Sequence, residues 1–387
     1  MAIQIDGSCD PRFNRVKDAF AQNFERGVEV GAAVAITIDG KPVVDIWAGH
    51  ADKARTRPWT RDTLVNCYST TKGVTAICAH RLAGEGKLDI DAPVAKYWPE
   101  FAQAGKAKLP VRYLLSHRAG LAAVSKPLRP DDIYNWDTMC TALAEQEPWW
   151  EPGAKHGYHA LTFGWLVGEV IRRISGKTPG RFLHDELAGP LGLDLHIGLD
   201  AKDDARTADM IPSPPLPPGA PNLFAEIAKN PEGVMAKAFA NPPVLSMPGL
   251  DNTRGWRGAE IPAANGHFTA RGLARLYGAL ARGGELDGVR VVAQKQIAHC
   301  SEEQSLGPDA VIMGISTRFS LGFMMSQPSA AFGPNPKAFG HPGAGGSVGF
   351  ADPEAKVGFG YTMNQMQMGL LVDPRATALM DAFYASL

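Results

Sequence analysis

The sequence lacks the features of a secreted, membrane-spanning or nucleic-acid-binding protein. Residues 1–25 contain none of the three parts of a secretory signal, which are a basic start, an unbroken apolar stretch and a small-residue cleavage site. No stretch approaches the roughly 20 apolar residues of a membrane-spanning helix. Net charge is −1 over 387 residues, without a long basic run. We expect a cytoplasmic protein that binds no nucleic acid, although a chain trimmed of a leader would begin in the same way.

Paired cysteines and metal-binding clusters are missing as well. The five cysteines are odd in number and widely scattered, which favours free thiols over a disulfide framework. His156 and His159 flank Tyr158, but no carboxylate or cysteine cluster completes a three-ligand set at a familiar spacing. We therefore expect no metal and no other cofactor. The patterns give no signal for an oligomeric state.

Patterns at the two ends of the chain predict strands and flanking helices. Apolar residues at helical spacing over residues 11–26 predict an amphipathic helix. Residues 31–49 read as two strands joined at Asp39-Gly40, a dipeptide that tolerates the positive φ of a tight turn. Strand patterns return at residues 319–325, 346–351 and 357–363, and a helical pattern closes the chain at 374–387.

Between these ends, residues 67–310 carry mostly helical patterns and long loops, including a helix expected to start at the N-cap candidate Thr269. We expect an α+β fold in which residues 1–66 and 311–387 form a sheet domain. The mainly helical domain, 67–310, is then a large insertion with the active site in the cleft between the two. Residues 211–222 contain six prolines, which predict a stiff surface loop or a lid at the pocket rim; a ligand for a proline-recognition module is a third alternative.

Ser69 and Lys72 form the pattern that most directly indicates chemistry. Their i, i+3 spacing puts hydroxyl and amine on one face of a helix, about 5–6 Å apart at Cβ. At a helix start, free backbone N–H groups and the dipole favour an oxyanion and lower the pKa of Lys72 from about 10.4. The alternative is a capped helix with a solvated lysine, but the apolar run that follows predicts a buried one. We predict Ser69 as nucleophile and Lys72 as the group that activates it.

Several motifs resemble the serine β-lactamase and penicillin-binding-protein superfamily. They are DTLVNCYSTTKG around Ser69, GKLDIDAPVAKYWPEF at 86–101 and LLSHRAGL at 114–121. The chain is most similar to the esterase branch, the family VIII carboxylesterases, which are relatives of class C β-lactamases. The resemblance covers nearly the whole chain. It implies a β-lactamase/transpeptidase-like fold, with an antiparallel sheet flanked by N- and C-terminal helices.

The second motif of the superfamily is matched by Tyr158-His159-Ala160. In relatives this phenol hydrogen-bonds the nucleophile and its lysine, and as phenolate or relay it protonates the leaving group. The resemblance therefore makes Tyr158 a catalytic residue. Without it, the tyrosine would be an ordinary amphipathic core residue.

The third motif, expected on an edge strand facing the nucleophile, is matched by His341-Pro342-Gly343. The resemblance implies that Gly343 lets the substrate approach closely and that His341 donates to a substrate carbonyl or carboxylate. The oxyanion hole would be the backbone N–H groups of Ser69 and Ala344. Pro342 departs from the family, since it replaces the hydroxyl residue that helps hold a β-lactam carboxylate.

Two other nucleophiles and two tryptophans need an interpretation. Ser347 lies in a G-x-S-x-G string, the pattern around the nucleophile of α/β-hydrolases. Those enzymes require a catalytic histidine later in the chain, and no histidine follows Ser347. Cys67 has no Cys-His arrangement around it, and a buried small thiol is the common case. Trp150 and Trp256 are expected in loops around the cleft. They could form the wall of an acyl-chain pocket or pack in the core, and the sequence favours neither interpretation.

The resemblance implies a serine carboxylesterase that hydrolyses short-chain acyl esters, small-molecule substrates, through an acyl-enzyme on Ser69. The first alternative is a β-lactamase or D-amino-acid amidase or peptidase that uses the same Ser-Lys-Tyr site. The second is a non-catalytic, penicillin-binding-like module. Its expected signature is the loss of Ser69, Lys72 or Tyr158, and all three are present.

Overall fold

A computed structural model gives the fold of residues 3–215, 223–243, 247–369 and 371–387, with the side chain of Phe224 left out. The α-helices in these ranges are α1 (Asn14–Glu25), α2 (Thr70–Gly84), α3 (Val111–Leu115), α4 (Trp136–Glu145), α5 (Thr162–Ser175), α6 (Pro179–Leu183), α7 (Gly189–Leu191), α8 (Leu223–Lys229), α9 (Val234–Ala240), α10 (Arg254–Gly258), α11 (Ala270–Ala281), α12 (Gln294–Cys300) and α13 (Pro374–Tyr384). A π-helical turn spans His184–Ala188. Short 3-10 helices lie at Pro11–Phe13, Val94–Lys96, Pro99–Ala102, Pro130–Tyr134, Ala201–Arg206 and Leu250–Asn252.

Most strands join one antiparallel sheet. The strands are β1 (Ile5–Cys9), β2 (Gly31–Ile38), β3 (Lys41–Gly49), β4 (Val65–Asn66), β5 (Leu195–His196), β6 (His267–Phe268), β7 (Glu285–Leu286), β8 (Val289–Arg290), β9 (Ser305–Pro308), β10 (Ser316–Phe319), β11 (Met324–Met325), β12 (Phe339–Pro342), β13 (Val348–Asp352) and β14 (Val357–Met363). The main sheet has nine strands in the order β1-β3-β2-β14-β13-β12-β11-β10-β9. Because β2 pairs with β14, strands from the two ends of the chain lie side by side within this sheet. Smaller sheets join β4, β6 and β5, and β7 with β8.

The predicted α+β fold is confirmed, with one strand pattern misread. Asp39 and Gly40 form the β2–β3 turn with φ of 48° and 78°, as the dipeptide predicts. The helix predicted after Thr269 is α11, and the Thr269 side chain accepts the Gly272 N–H. Residues 319–325 are not one strand: β10 ends at Phe319 and β11 begins at Met324, because the chain turns between them.

Helices cover both faces of the sheet. α11 packs on β14, β2 and β13. Gly358 and Gly360 allow this, because a Cβ at either would lie 2.2 Å from a carbonyl oxygen of α11. Side chains at the alternate positions of β14 point to the other face. There α13 packs against α1, and Phe383 stacks on Phe13 with ring centroids 5.1 Å apart.

The division into a sheet domain and an inserted helical domain stays a prediction, and two elements differ from its expected boundaries. β9 precedes residue 311 and belongs to the sheet because it pairs with β10. α11, expected in the helical part, lies directly on the sheet.

α2 runs through the middle of the molecule and carries the candidate nucleophile at its start. Every residue from Thr70 to His80 is buried, and α2 packs on α5, α12 and β12. Among the described residues, no helix is both long and apolar enough to cross a membrane. The five cysteines are unpaired, and all but Cys9 are buried.

Candidate active site

Ser69 stands at the turn from β4 into α2. Tyr68, just before it, has a φ of 41°, and this left-handed residue turns the chain sharply into the helix. Ser69 is the N-cap residue, yet its side chain makes no capping hydrogen bond. Its hydroxyl is therefore free for the lysine one turn ahead, while the positive end of the helix dipole lies beside it.

Lys72 is fully buried and points at the Ser69 hydroxyl. Its Nζ lies 3.0 Å from Ser69 Oγ, 2.7 Å from the carbonyl oxygen of Ala160 and 3.0 Å from that of Ala263. All three partners are uncharged. Burial holds the pKa of Lys72 well below its ordinary value, because the charged form loses its hydration.

The partners of Lys72 can be satisfied by a neutral amine, the form that its lowered pKa favours. A neutral amine has two N–H donors and one lone pair, whereas an ammonium has three donors. The two carbonyl oxygens accept only, so they take the two N–H groups. The lone pair is then left for the Ser69 hydroxyl, which is the arrangement that a general base requires.

Tyr158 lies close to both Ser69 and Lys72, in the loop before α5. Its hydroxyl hydrogen-bonds Ser69, and its ring centroid lies 4.7 Å from the Nζ of Lys72. Burial raises the pKa of the phenol above its ordinary value, and its hydrogen bond with Ser69 offsets part of this effect. The neutral phenol is thus the resting form, which favours the proton relay over the phenolate.

Asp309 fixes the backbone that carries this tyrosine. Its Oδ1 accepts the Tyr158 N–H at 3.0 Å and also the N–H groups of Val311 and Ile312. Its Oδ2 accepts the Thr317 hydroxyl at 3.2 Å. Asp309 is 1% exposed and escaped the sequence analysis, because a lone aspartate far along the chain gives no local signal.

His341 ends up beside Lys72 and Tyr158 in an acceptor tautomer. It lies on β12, which is not the expected edge strand, because β12 pairs with β13 on one side and with β11 on the other. Its Nδ1 donates to the carbonyl of Pro342 at 2.7 Å. Burial lowers the pKa of His341 to about 3. The ring is therefore neutral, and Nε2, which has no partner among the described residues, carries a lone pair. In this form Nε2 accepts, so the predicted donation to substrate needs another protonation state.

Gly343 lets the third motif pack closely against the turn at residues 67–70, which carries Ser69. A Cβ at Gly343 would lie 2.2 Å from the carbonyl oxygen of Cys67, so only glycine fits there. Ala344 follows, partly exposed. Within the described residues, the backbone N–H groups of Ser69 and Ala344 donate to no protein acceptor. Two free N–H groups on adjoining turns are what a predicted oxyanion hole needs.

Comparison with known proteins places the chain in a family. The family model described as Beta-lactamase matches residues 19–382. The chain belongs to this family. It is 37% identical over 382 residues to the Esterase/beta-lactamase LipL of Mycobacterium tuberculosis, covering 96% of this chain and 86% of the relative.

Two solved structures extend the likeness to the fold. A structure described as a family VIII carboxylesterase is 45% identical, with a TM-score of 0.91 and 100% of both chains covered. A penicillin-binding protein homolog from Caulobacter crescentus is 42% identical, with a TM-score of 0.91, covering 99% of this chain and 100% of that one. The predicted resemblance and the β-lactamase/transpeptidase-like fold are confirmed.

Ser347 and Cys67 contact each other at the turn that carries Ser69, the predicted nucleophile. Ser347 is 1% exposed, and its hydroxyl donates to the Cys67 carbonyl at 2.8 Å and lies 3.1 Å from Thr70 Oγ1. This bridge ties the chain before β13 to the start of α2. Burial raises the pKa of the Cys67 thiol, which keeps it protonated. Both features support the interpretation that neither residue is the nucleophile.

The two tryptophans occupy different surroundings. Trp256 is 3% exposed and donates from Nε1 to Asn66 Oδ1 at 3.2 Å, a core position behind β4. Trp150 is half-buried and lies over Gly157, where a Cβ would come within 2.7 Å of the indole ring. Trp150 thus borders the Tyr158 loop, and a wall for substrate stays a prediction for both. Of the proline-rich segment, residues 216–222 lie outside the described ranges.

The histidines near Tyr158 are occupied by protein partners. His156 Nε2 lies 2.9 Å from the Thr317 hydroxyl. His159 Nδ1 lies 2.7 Å from the Gly157 carbonyl, and its Nε2 accepts the Leu121 N–H. No group of three or more potential ligands that could hold a metal occurs in the part of the chain that the structure describes.

Proposed function

We propose that the protein is a serine carboxylesterase that hydrolyses short-chain acyl esters through an acyl-enzyme on Ser69. The observation that carries this proposal is the environment of Lys72. It is a buried amine with two carbonyl acceptors and one hydroxyl, and no carboxylate among its hydrogen-bond partners in the described structure. An amine held neutral in this way can take the hydroxyl proton at neutral pH.

Acylation begins when the Ser69 oxygen attacks the ester carbonyl and its proton passes to Lys72. The bond between that oxygen and the carbonyl carbon forms, and negative charge collects on the carbonyl oxygen. The N–H groups of Ser69 and Ala344 stabilise this charge. Tyr158, with its high pKa, relays a proton to the departing alcohol as the ester bond breaks.

Deacylation uses the same groups with water in place of the alcohol. Water attacks the acyl carbon, its proton passes to the lysine and tyrosine pair, and Ser69 leaves with a proton. The acid product is released and the neutral lysine is restored. The arrangement needs no cofactor, because nucleophile, base and oxyanion donors all come from the chain.

β-Lactam hydrolysis is the second candidate, since the acylation chemistry is shared and the mycobacterial relative is named for both activities. Two features make it the weaker one. Pro342 stands where relatives have a hydroxyl residue, and neutral His341 offers no positive charge to a β-lactam carboxylate. We also propose a cytoplasmic location, which the unpaired cysteines support.

The experiment compares p-nitrophenyl esters from acetate to decanoate with nitrocefin in steady-state and single-turnover assays. We expect short esters to give the highest kcat/KM. Ser69→Ala should abolish turnover, and Ser347→Ala should keep it. Preference for nitrocefin would favour the β-lactamase alternative, and loss of turnover in Ser347→Ala alone would make the nucleophile assignment wrong.

A further inference from the structure

A buried arginine, Arg375, packs against the turn that carries Ala344. Arg375, near the start of α13, is 3% exposed, and its Nη2 donates to the carbonyl of Gly345 at 2.5 Å. A Cβ at Gly346 would lie 2.5 Å from the same nitrogen. The guanidinium therefore packs directly against the two residues that follow Ala344.

The guanidinium is itself fixed on every side. Asp373 takes a two-pronged contact, from Nε at 2.9 Å and from Nη2 at 3.0 Å. Nη1 lies 3.0 Å from the carbonyl of Val28, 2.9 Å from that of Gln365 and 3.1 Å from Glu29 Oε2. Planar, multiply bonded and buried, Arg375 is a rigid support, in contrast to an exposed arginine that could follow the turn.

The turn needs such a support because its own backbone is permissive. Gly345 and Gly346 have φ of 87° and 131°, a region in which glycine moves freely. Inside the turn, Gly346 N–H donates to the Gly343 carbonyl at 3.0 Å. The Gly345 carbonyl is anchored from outside, by Arg375 and by the Gln367 N–H at 3.2 Å.

We infer that Arg375 is a positioning residue for the oxyanion hole. By fixing the Gly345 carbonyl, it sets the direction of the adjoining Ala344 backbone and so the aim of the Ala344 N–H. Its side chain touches no reacting atom and acts through this turn. The inference rests on the proposed function, because it assumes acyl transfer at Ser69.

Arg375→Lys is the variant that tests this role. Lysine keeps the positive charge beside Asp373 and Glu29 but loses the fork that reaches Gly345 as well. We expect kcat/KM for p-nitrophenyl butyrate to fall by about 10- to 100-fold, since a donor misplaced by about 1 Å can cost this much. The affinity for an aryl boronic acid, which forms a tetrahedral adduct on the serine, should fall by a similar factor.

Tyr361→Phe is the matched control. It removes the hydroxyl that donates to Glu29 in the same buried cluster but does not touch Gly345. We expect a lower Tm with kcat/KM and boronate affinity nearly unchanged. If Arg375→Lys does not fold, the double variant Glu29→Gln, Arg375→Gln, which removes one acidic and one basic side chain from the cluster, takes its place in the same assays.

The outcomes separate the two proposals. If the Ser69→Ala variant turns over ester at the wild-type rate, the proposed function is contradicted. Turnover that depends on Ser69 but is unchanged in Arg375→Lys contradicts only the positioning role. The same holds if Arg375→Lys loses kcat/KM while its boronate affinity stays at the wild-type value, or if Tyr361→Phe loses as much activity at an equal loss of Tm.

Discussion

Replacing Gly343 by alanine should push the turn at residues 343–346, which carries the Ala344 N–H, away from Ser69. The added Cβ would lie 2.2 Å from the Cys67 carbonyl oxygen, 2.3 Å from Ser347 Oγ and 3.0 Å from Thr70 Oγ1. All three atoms belong to buried residues and none is the end of a long side chain. Normal contact requires about 3.5 Å, so β12 must move away from the turn that carries Ser69 by about 1 Å. A displacement of that size at an active site costs about 100-fold in rate, or about 2.7 kcal/mol.

The assay is kcat/KM for p-nitrophenyl butyrate, read beside the free energy of unfolding in urea. Overpacking of this kind costs about 1–3 kcal/mol of stability, so Gly343→Ala should still fold. Gly369→Ala is the control, because a Cβ there meets nothing within 4 Å. If folded Gly343→Ala keeps kcat/KM within threefold of wild type, the close approach of this turn is not needed for catalysis and the reasoning is wrong.

Three further predictions concern groups around the site. Lys72→Arg should lower kcat by about 10²- to 10⁴-fold, because a guanidinium stays charged and cannot act as base; a single-turnover assay with near-normal acylation would contradict this. Asp309→Ala should lower kcat by about 10-fold or more while Asp309→Asn, which keeps an oxygen for the Tyr158 N–H, retains most of it; equal losses in both would point to charge instead of the hydrogen bond. Burial raises the pKa of Glu29 to about 7, although Arg375 lies beside it, so the folded state binds the extra proton. Protonation of Glu29 therefore contributes to the free energy of unfolding. This contribution is fully present below about pH 4.5 and is lost as the pH rises through about 7. Urea unfolding from pH 5 to 8 should show this decline in wild type and a flatter curve in Glu29→Gln; parallel curves would show that Glu29 does not titrate in this range.

Local patterns predicted four of the nine strands of the main sheet, β2, β3, β13 and β14, together with its flanking helices, and failed where the pattern was ambiguous. The β2–β3 hairpin followed from Asp39-Gly40, because the turn type depends on those two residues alone. β1 (Ile5–Cys9) was missed, since IDGSC is short and mostly exposed and shows no alternation. Residues 319–325 looked like one strand because the apolar residues run on through the turn that separates β10 from β11.

The site was predictable to the extent that its parts are local. Ser69 and Lys72 lie one turn apart on α2, so spacing alone joins them. Tyr158 required the family resemblance, since nothing nearby distinguishes it from a core tyrosine. Asp309 and Arg375 were beyond prediction, because tertiary packing alone brings them to the Tyr158 backbone and to the turn that carries Ala344.

The central claim is that Ser69 carries the acyl group, and trapping that intermediate tests it most directly. The enzyme is mixed with p-nitrophenyl butyrate, quenched in acid within the burst phase, digested and analysed by mass spectrometry. The account predicts one butyryl group per chain, on the peptide that contains Ser69, and none in Ser69→Ala. A butyryl group on Ser347 or Cys67, or one that persists in Ser69→Ala, would contradict it.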